Sequence, residues 1–161
     1  MKHIISIEHV ILKVNGSFEE FTSNLEDLLG ILKPADLDFL HGNKASLQNM
    51  LESLGGEQEL ILFNIIEHGE LLRLEGITGT KAKQYQLGNP HMAARMTALN
   101  ISSGLYAPLR ILVHENAQGK VQIEYDLPSS VFAQFNDPQI TAVSKLMDSK
   151  LEKLLASAQS A

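Results

Sequence analysis

Gln84-Tyr85-Gln86-Leu87-Gly88-Asn89-Pro90 opens the stretch that decides the fold. That stretch runs on through the hairpin Leu109–Tyr125 to Asp126-Leu127-Pro128-Ser129-Ser130. Ala82–Leu87 reads as a strand with Tyr85 and Leu87 toward the core. Asn89 is placed to cap the next helix, and Pro90 stands at its first position, where a missing N–H is no loss. Met92, Ala93, Met96 and Leu99 then form a buried stripe, followed by a loop over Asn100–Tyr106. In the hairpin, Leu109, Ile111 and Val113 alternate with Arg110, Leu112 and His114, and Val121, Ile123 and Tyr125 with Gln122 and Glu124. Asn116-Ala117-Gln118-Gly119 suits a three-residue loop with Gly119 left-handed. This register pairs Ile111 with Tyr125 and sets Arg110 opposite Asp126, with Glu124 diagonal on the same face. A slip of one residue would expose the whole apolar set, which excludes it.

Outward from there, His3–Val14 reads as a strand that changes phase near Glu8-His9. Ser17 and Glu20 make a capping box for a helix carrying Phe18, Phe21, Leu25, Leu28 and Leu29, with Gly30 as its stop. Pro34-Ala35-Asp36 restarts the chain, and Leu37, Phe39 and Leu40 are expected to form one helical turn. Asn43–Leu54 follows as a helix, with Leu47, Met50, Leu51 and Leu54 on one face and Gly55-Gly56 ending it. Leu60–Ile66 is a nearly continuous apolar run suited to a central strand buried on both sides. Glu70–Glu75 leans toward a short helix. Pro128–Phe135 turns once as helix. Asp137-Pro138 then opens the longest one, with Ile140, Val143, Leu146, Met147, Leu151, Leu154 and Leu155 on its buried side. The plan is α+β: a mostly antiparallel sheet of about five strands packed by a long C-terminal helix.

The chain has 161 residues, enough for one domain with an apolar core and no staples. A net charge of −6 argues against a nucleic-acid partner, which calls for a basic face. Cysteine is absent, so thiol catalysis and thiolate metal sites are excluded. No signal-peptide pattern and no run long enough to span a bilayer is visible, so the expectation is a cytoplasmic protein without a membrane partner.

The order and spacing of several short motifs resemble the domain-of-unknown-function family numbered 302. They are His68-Gly69, Gly88-Asn89-Pro90, Leu105-Tyr106-Ala107-Pro108-Leu109-Arg110, Glu124-Tyr125-Asp126-Leu127-Pro128-Ser129-Ser130 and Asp148-Ser149-Lys150-Leu151-Glu152-Lys153-Leu154. The similarity spans nearly the whole chain and is thinnest before residue 50. It implies an α+β fold of the TATA-binding-protein-like group, with an antiparallel sheet cradling a long helix, and a homodimer. It carries no reaction with it. Ile77-Thr78-Gly79-Thr80 is loop-like where relatives have a plainer apolar segment.

Among six histidines, His68 follows a buried strand and is the best placed as a base or pH-sensitive group, beside Glu67 and Glu70. The spacing lacks the two-histidine pattern of helical zinc sites, and a hydrogen-bonded structural histidine is the more ordinary role. Asn89 at a helix start has anion-binding potential, set against a plain capping role. Arg110, Glu124 and Asp126 read as cross-strand ion pairs, or, in a cleft, Asp126 and Tyr125 as acid–base groups. Ser129 and Ser130 lack a nucleophile-elbow setting and suit capping. The site candidates are thus His68, Tyr85, Asn89, Arg110, Tyr125 and Ser129, with His68 and Asp126 as the catalytic pair of an enzyme reading. No metal or cofactor follows from these residues. The ordering of functions is a small-ligand-binding module first, with a cavity lined by Met96, Met147 and strand residues between sheet and long helix. His68, Tyr85 or Tyr125 is expected at its mouth. A dimerising interaction protein comes second and the enzyme last.

Overall fold

The computed structural model describes residues 2–32, 44–54 and 56–161, with no side-chain account of 44–47. The turn expected at Leu37–Leu40 and the Gly55 stop lie outside the described residues. In chain order the elements are β1 (His9–Lys13), α1 (Phe18–Leu28), β2 (Gly30–Ile31), α2 (Lys44–Leu54), β3 (Ile61–Ile66) and α3 (His68–Leu74). Then follow β4 (Ala82–Gly88), α4 (Pro90–Leu99), β5 (Leu109–Glu115), β6 (Val121–Asp126), α5 (Pro128–Phe132) and α6 (Pro138–Ser160).

Among the described residues the strands form one six-stranded sheet in the order β1-β6-β5-β4-β3-β2. All neighbours are antiparallel except the edge pair β2–β3. The class is therefore the α+β one expected, with one more strand. The extra strand arises because Gly30 does not simply end α1. Leu29 takes the C-cap, and Gly30 pairs with Ile61. A Cβ on the neighbouring Gly56 would lie 2.3 Å from the Gly30 nitrogen and 2.2 Å from the Leu60 carbonyl oxygen, so a bare backbone is what lets these segments meet.

The hairpin has the expected register, Ile111 facing Tyr125 and Val113 facing Ile123. Gly119 sits at φ +68°, and its N–H donates to the Asn116 carbonyl at 2.8 Å. The N-cap side chains bond as expected, although the described bonds include only the Ser17 half of the capping box. Ser17 Oγ accepts from the Glu20 N–H at 3.2 Å, and Asp137 Oδ1 accepts from Gln139 at 2.7 Å and Ile140 at 3.1 Å.

Several expectations need correcting. Strand β1 begins at His9 rather than His3, because only His9–Lys13 finds the β6 ladder. β3 is not buried on both sides: a bulge between Leu62 and Asn64 turns Phe63 and Asn64 to the outside. Residues 101–106 coil as a 3₁₀ turn, not an open loop. Leu99 and Leu146 fall off their stripes and are exposed. The helices bury one face of the sheet. Leu25 of α1 and Leu151 and Leu154 of α6 join Leu87, Val113 and Ile123 of the strands in one apolar cluster. At about 25 cal/mol per Å² of apolar surface removed from water, this contact is the main source of stability.

Candidate functional site

Two features stand at the end of the sheet where β4 passes into α4 and β5 begins. The first is an apolar cavity of about 370 Å³ between that end of the sheet, α4 and α6. Met96, Met147 and Phe132 form its floor and are almost fully withdrawn from water, while Phe63 and Pro108 stand at its exposed rim. Met96 is there because the stripe of α4 faces α6. Met147 comes from the third turn of α6, and Phe132 from α5, whose proline start re-aims the chain after β6. None of the lining side chains is ionisable.

The second is a groove of about 320 Å³ on the far side of Pro108, Leu109 and Phe132, opening to the sheet face that no described helix covers. Here His9 Nδ1 is 2.9 Å from Asp126 Oδ1, and His9 Nε2 is 3.2 Å from Glu124 Oε2. The other Glu124 oxygen takes His114 Nε2 at 2.9 Å. One carboxylate thus bridges imidazoles of β1 and β5. The Asp126 and Glu124 hydrogen bonds raise the pKa of His9 above its ordinary value, and the His114 and His9 bonds hold Glu124 below its own. Among the described residues, no group of three or more histidine or acidic side chains is arranged to hold a metal ion.

The sequence candidates are scattered across the fold. His68 opens α3 beyond the end of β3, and β4 and β5 lie between β3 and the β6 strand of Asp126. Three strand spacings of ~4.8 Å alone separate them by ~14 Å, beyond hydrogen-bond or single-water reach. Among the described residues, His68 makes no side-chain hydrogen bond, and Asp126 is taken by His9. Arg110 lines the polar groove, exposed and without an ion pair among the described residues; the expected Arg110–Asp126 bridge is replaced by His9–Asp126.

Tyr85 is not at any mouth. It is fully buried on the helix side, and its hydroxyl donates to Glu26 Oε1 at 2.8 Å. Burial, and then Glu26, push its phenol far above the ordinary range. Tyr125 is buried beneath α6, and burial, with Glu152 and Asp148, raises its pKa. Asn89 borders the apolar cavity, yet both ends of its amide are committed. Oδ1 accepts from the Met92 N–H at 3.0 Å and Nδ2 donates to the Glu59 carbonyl at 3.0 Å. Ser129 does not cap α5 with its side chain; its N–H donates to Asp148 Oδ1 at 2.9 Å. Ser130 Oγ instead bonds the Leu127 carbonyl and receives the Glu8 N–H.

Sequence reasoning missed His9 and Phe63 as site residues. A signal for His9 was present: once Val10 and Leu12 face inward, His9 must face outward. What was lacking was the β1–β6 pairing that sets it beside Asp126.

An open-faced α+β sandwich with an apolar cavity at the end of the sheet is the class of protein these features define. The family model for the domain of unknown function DUF302 matches residues 42–158, and the chain belongs to that family. The fold is similar to the crystal structure of an uncharacterized conserved protein DUF302 from Bacillus stearothermophilus. The two are 18% identical, with 93% of this chain and 97% of that one covered and a TM-score of 0.66. No curated protein matches the chain. Among the described residues, no helix is long and apolar enough to cross a membrane.

Proposed function

We propose that this protein is a small-ligand-binding module and that the ligand occupies the cavity over Met96 and Met147. The observation that carries this reading is a space of about 370 Å³ with a buried floor and an exposed rim, lined without a single ionisable group. That volume falls within the ~300–1,000 Å³ typical of ligand sites. An apolar surface of this kind gains from covering by an apolar guest in proportion to the area removed from water. Titration with N-phenyl-1-naphthylamine, a neutral apolar dye, tests it. Saturable one-to-one fluorescence enhancement is expected, and Ala93→Phe, which fills the cavity, should abolish it with the circular dichroism unchanged. Absence of enhancement, or enhancement indifferent to Ala93→Phe, would sink the reading.

A second reading, a homodimer, is favoured by the uncovered sheet face, where Ile11 is 54% exposed and faces Glu124, itself paired with Leu112. Opposite charges and apolar residues alternating on one face suit a self-complementary contact across a two-fold axis. Sedimentation equilibrium should give a dimer that Ile11→Lys dissociates; a monomer at ~50 μM, far above the Kd of a stable interface, would exclude it. The partners proposed are thus a small molecule and a second copy, not nucleic acid or a membrane, in keeping with the acidic charge balance. The same reading assigns the fold to the TATA-binding-protein-like group, on the sheet cradling α6.

A further inference from the structure

We infer that the apolar cavity takes a small, uncharged aromatic molecule and that Phe63 is the side chain that admits it; this rests on the ligand-binding reading above.

The absence of charge is the first constraint. No ionisable side chain lines the cavity, and Asn89, its one polar side chain, has its amide engaged with Met92 and Glu59. A charged guest would leave water with nothing to replace it. Shape is the second. The floor offers two thioethers, Met96 and Met147, and the ring of Phe132. Sulfur packs favourably against aromatic edges, and rings stack edge-on or offset on other rings. Phe132 already belongs to an aromatic group, 6.2 Å from the Tyr106 ring centroid and 6.1 Å from that of Phe135. A guest ring over Phe132 extends that group by one member. A volume of about 370 Å³ is ample for one or two fused rings.

Phe63 owes its position to the bulge. The β3–β4 ladder pairs Leu62 with Leu87 and Asn64 with Gln86, and Phe63 between them is skipped. Bulges recur beside sites because they re-aim one side chain. Phe63 is 38% exposed where the floor residues Met96 and Phe132 are 2% and 1%, which sets it at the rim. The ring lies beside Gly88, where an added Cβ would make ordinary contact with Phe63 Cε2 at 3.9 Å. A ring at the mouth, skipped by the ladder, is the side chain placed to swing aside as a guest enters.

The test is methyl NMR of the full chain labelled at methionine, with Met96 and Met147 assigned through Met→Leu variants. The three probes are indole, indole-3-carboxylate and 1-octanol. Indole is expected to shift both methyl signals saturably, with the carboxylate at least ~tenfold weaker because its charge finds no partner, and octanol weaker than indole. Phe63→Ala should speed exchange of bound indole at least ~fivefold by removing the ring that gates entry, and Phe63→Leu should do so partially if the alanine variant folds poorly. Equal or stronger shifts from octanol or the carboxylate would overturn the ligand class while leaving the cavity as a binding site. No shift from any probe would instead overturn the ligand-binding reading itself. Unchanged exchange in both Phe63 variants would overturn the gate.

Discussion

Tyr85 donates its hydroxyl hydrogen to Glu26 at 2.8 Å from a fully buried position, and this bond ties the centre of the sheet to α1. Lys83 reaches the same Glu26 oxygen at 3.0 Å, so helix and strand share one polar node at the edge of the core. Burying a tyrosine there is tolerable because its one polar atom is satisfied.

Removing that atom should therefore matter. Tyr85→Phe is expected to lower stability by about 0.5–1.5 kcal/mol, the net worth of one hydrogen bond, in urea unfolding. The variant should also alter the alkaline response. The folded phenol titrates far above its unfolded value, so the contribution is complete below about pH 10 and declines as pH rises beyond it. Wild-type stability should fall more steeply above pH 10 than that of Tyr85→Phe; parallel slopes would contradict the burial argument.

The histidine–carboxylate chain gives the opposite end of the pH scale. His9 is raised, so its stabilising contribution is complete below about pH 6.5 and is lost as pH climbs through the folded value. Glu124 is lowered, so its share is present above its unfolded pKa and fades as pH drops through the folded value. An NMR titration should place the His9 midpoint above 6.5, and Glu124→Gln should move it back down. A midpoint indifferent to Glu124→Gln would remove the bridge.

Asn89 serves structure rather than ligand. Asn89→Ala should destabilise the fold by about 0.5–2 kcal/mol through loss of the α4 cap. Asn89→Ser should recover much of that, since a hydroxyl can still accept from Met92 N–H, but not the bond to the Glu59 carbonyl. Thermal denaturation of both variants decides whether the cap dominates.

Gly56 offers a steric test. Its missing side chain is replaced by backbone atoms of Leu60 and Gly30, which cannot rotate away. Gly56→Ala should cost about 1–3 kcal/mol as overpacking does, and should be felt at β2 and the start of β3 in hydrogen exchange. A neutral effect would mean that the two segments separate easily.

How much of this was legible in advance follows the range of the signal. The hairpin, the α4 cap and α6 were readable because alternation, Asn-Pro and a 3.6-residue stripe are local. The pairing of β1 with β6 was not, because it joins residues more than a hundred positions apart and leaves no local mark. His9 was lost with it, and the Arg110–Asp126 bridge was expected in its stead. The bulge at Phe63 escaped for another reason: Asn64, the one polar residue of an otherwise apolar run, marks an outward side chain but does not reveal that its neighbour Phe63 has left the ladder. Met96 and Met147 were foreseen beside a cavity from their helical phases alone, whereas Tyr85, core-facing by its spacing, was put at the mouth because spacing does not say whether a core-facing hydroxyl reaches a cleft or a buried partner such as Glu26.

The placement of β1 against β6 also sets an order of assembly. Residues 9–13 are made well before their ladder partner Val121–Asp126, which follows more than a hundred residues later. Until then the segment holding Val10, Ile11 and Leu12 has no strand to join, and closing so long a loop is a slow step. This strand therefore docks only after β6 exists, and during that interval its apolar residues are open to a chaperone or a wrong neighbour.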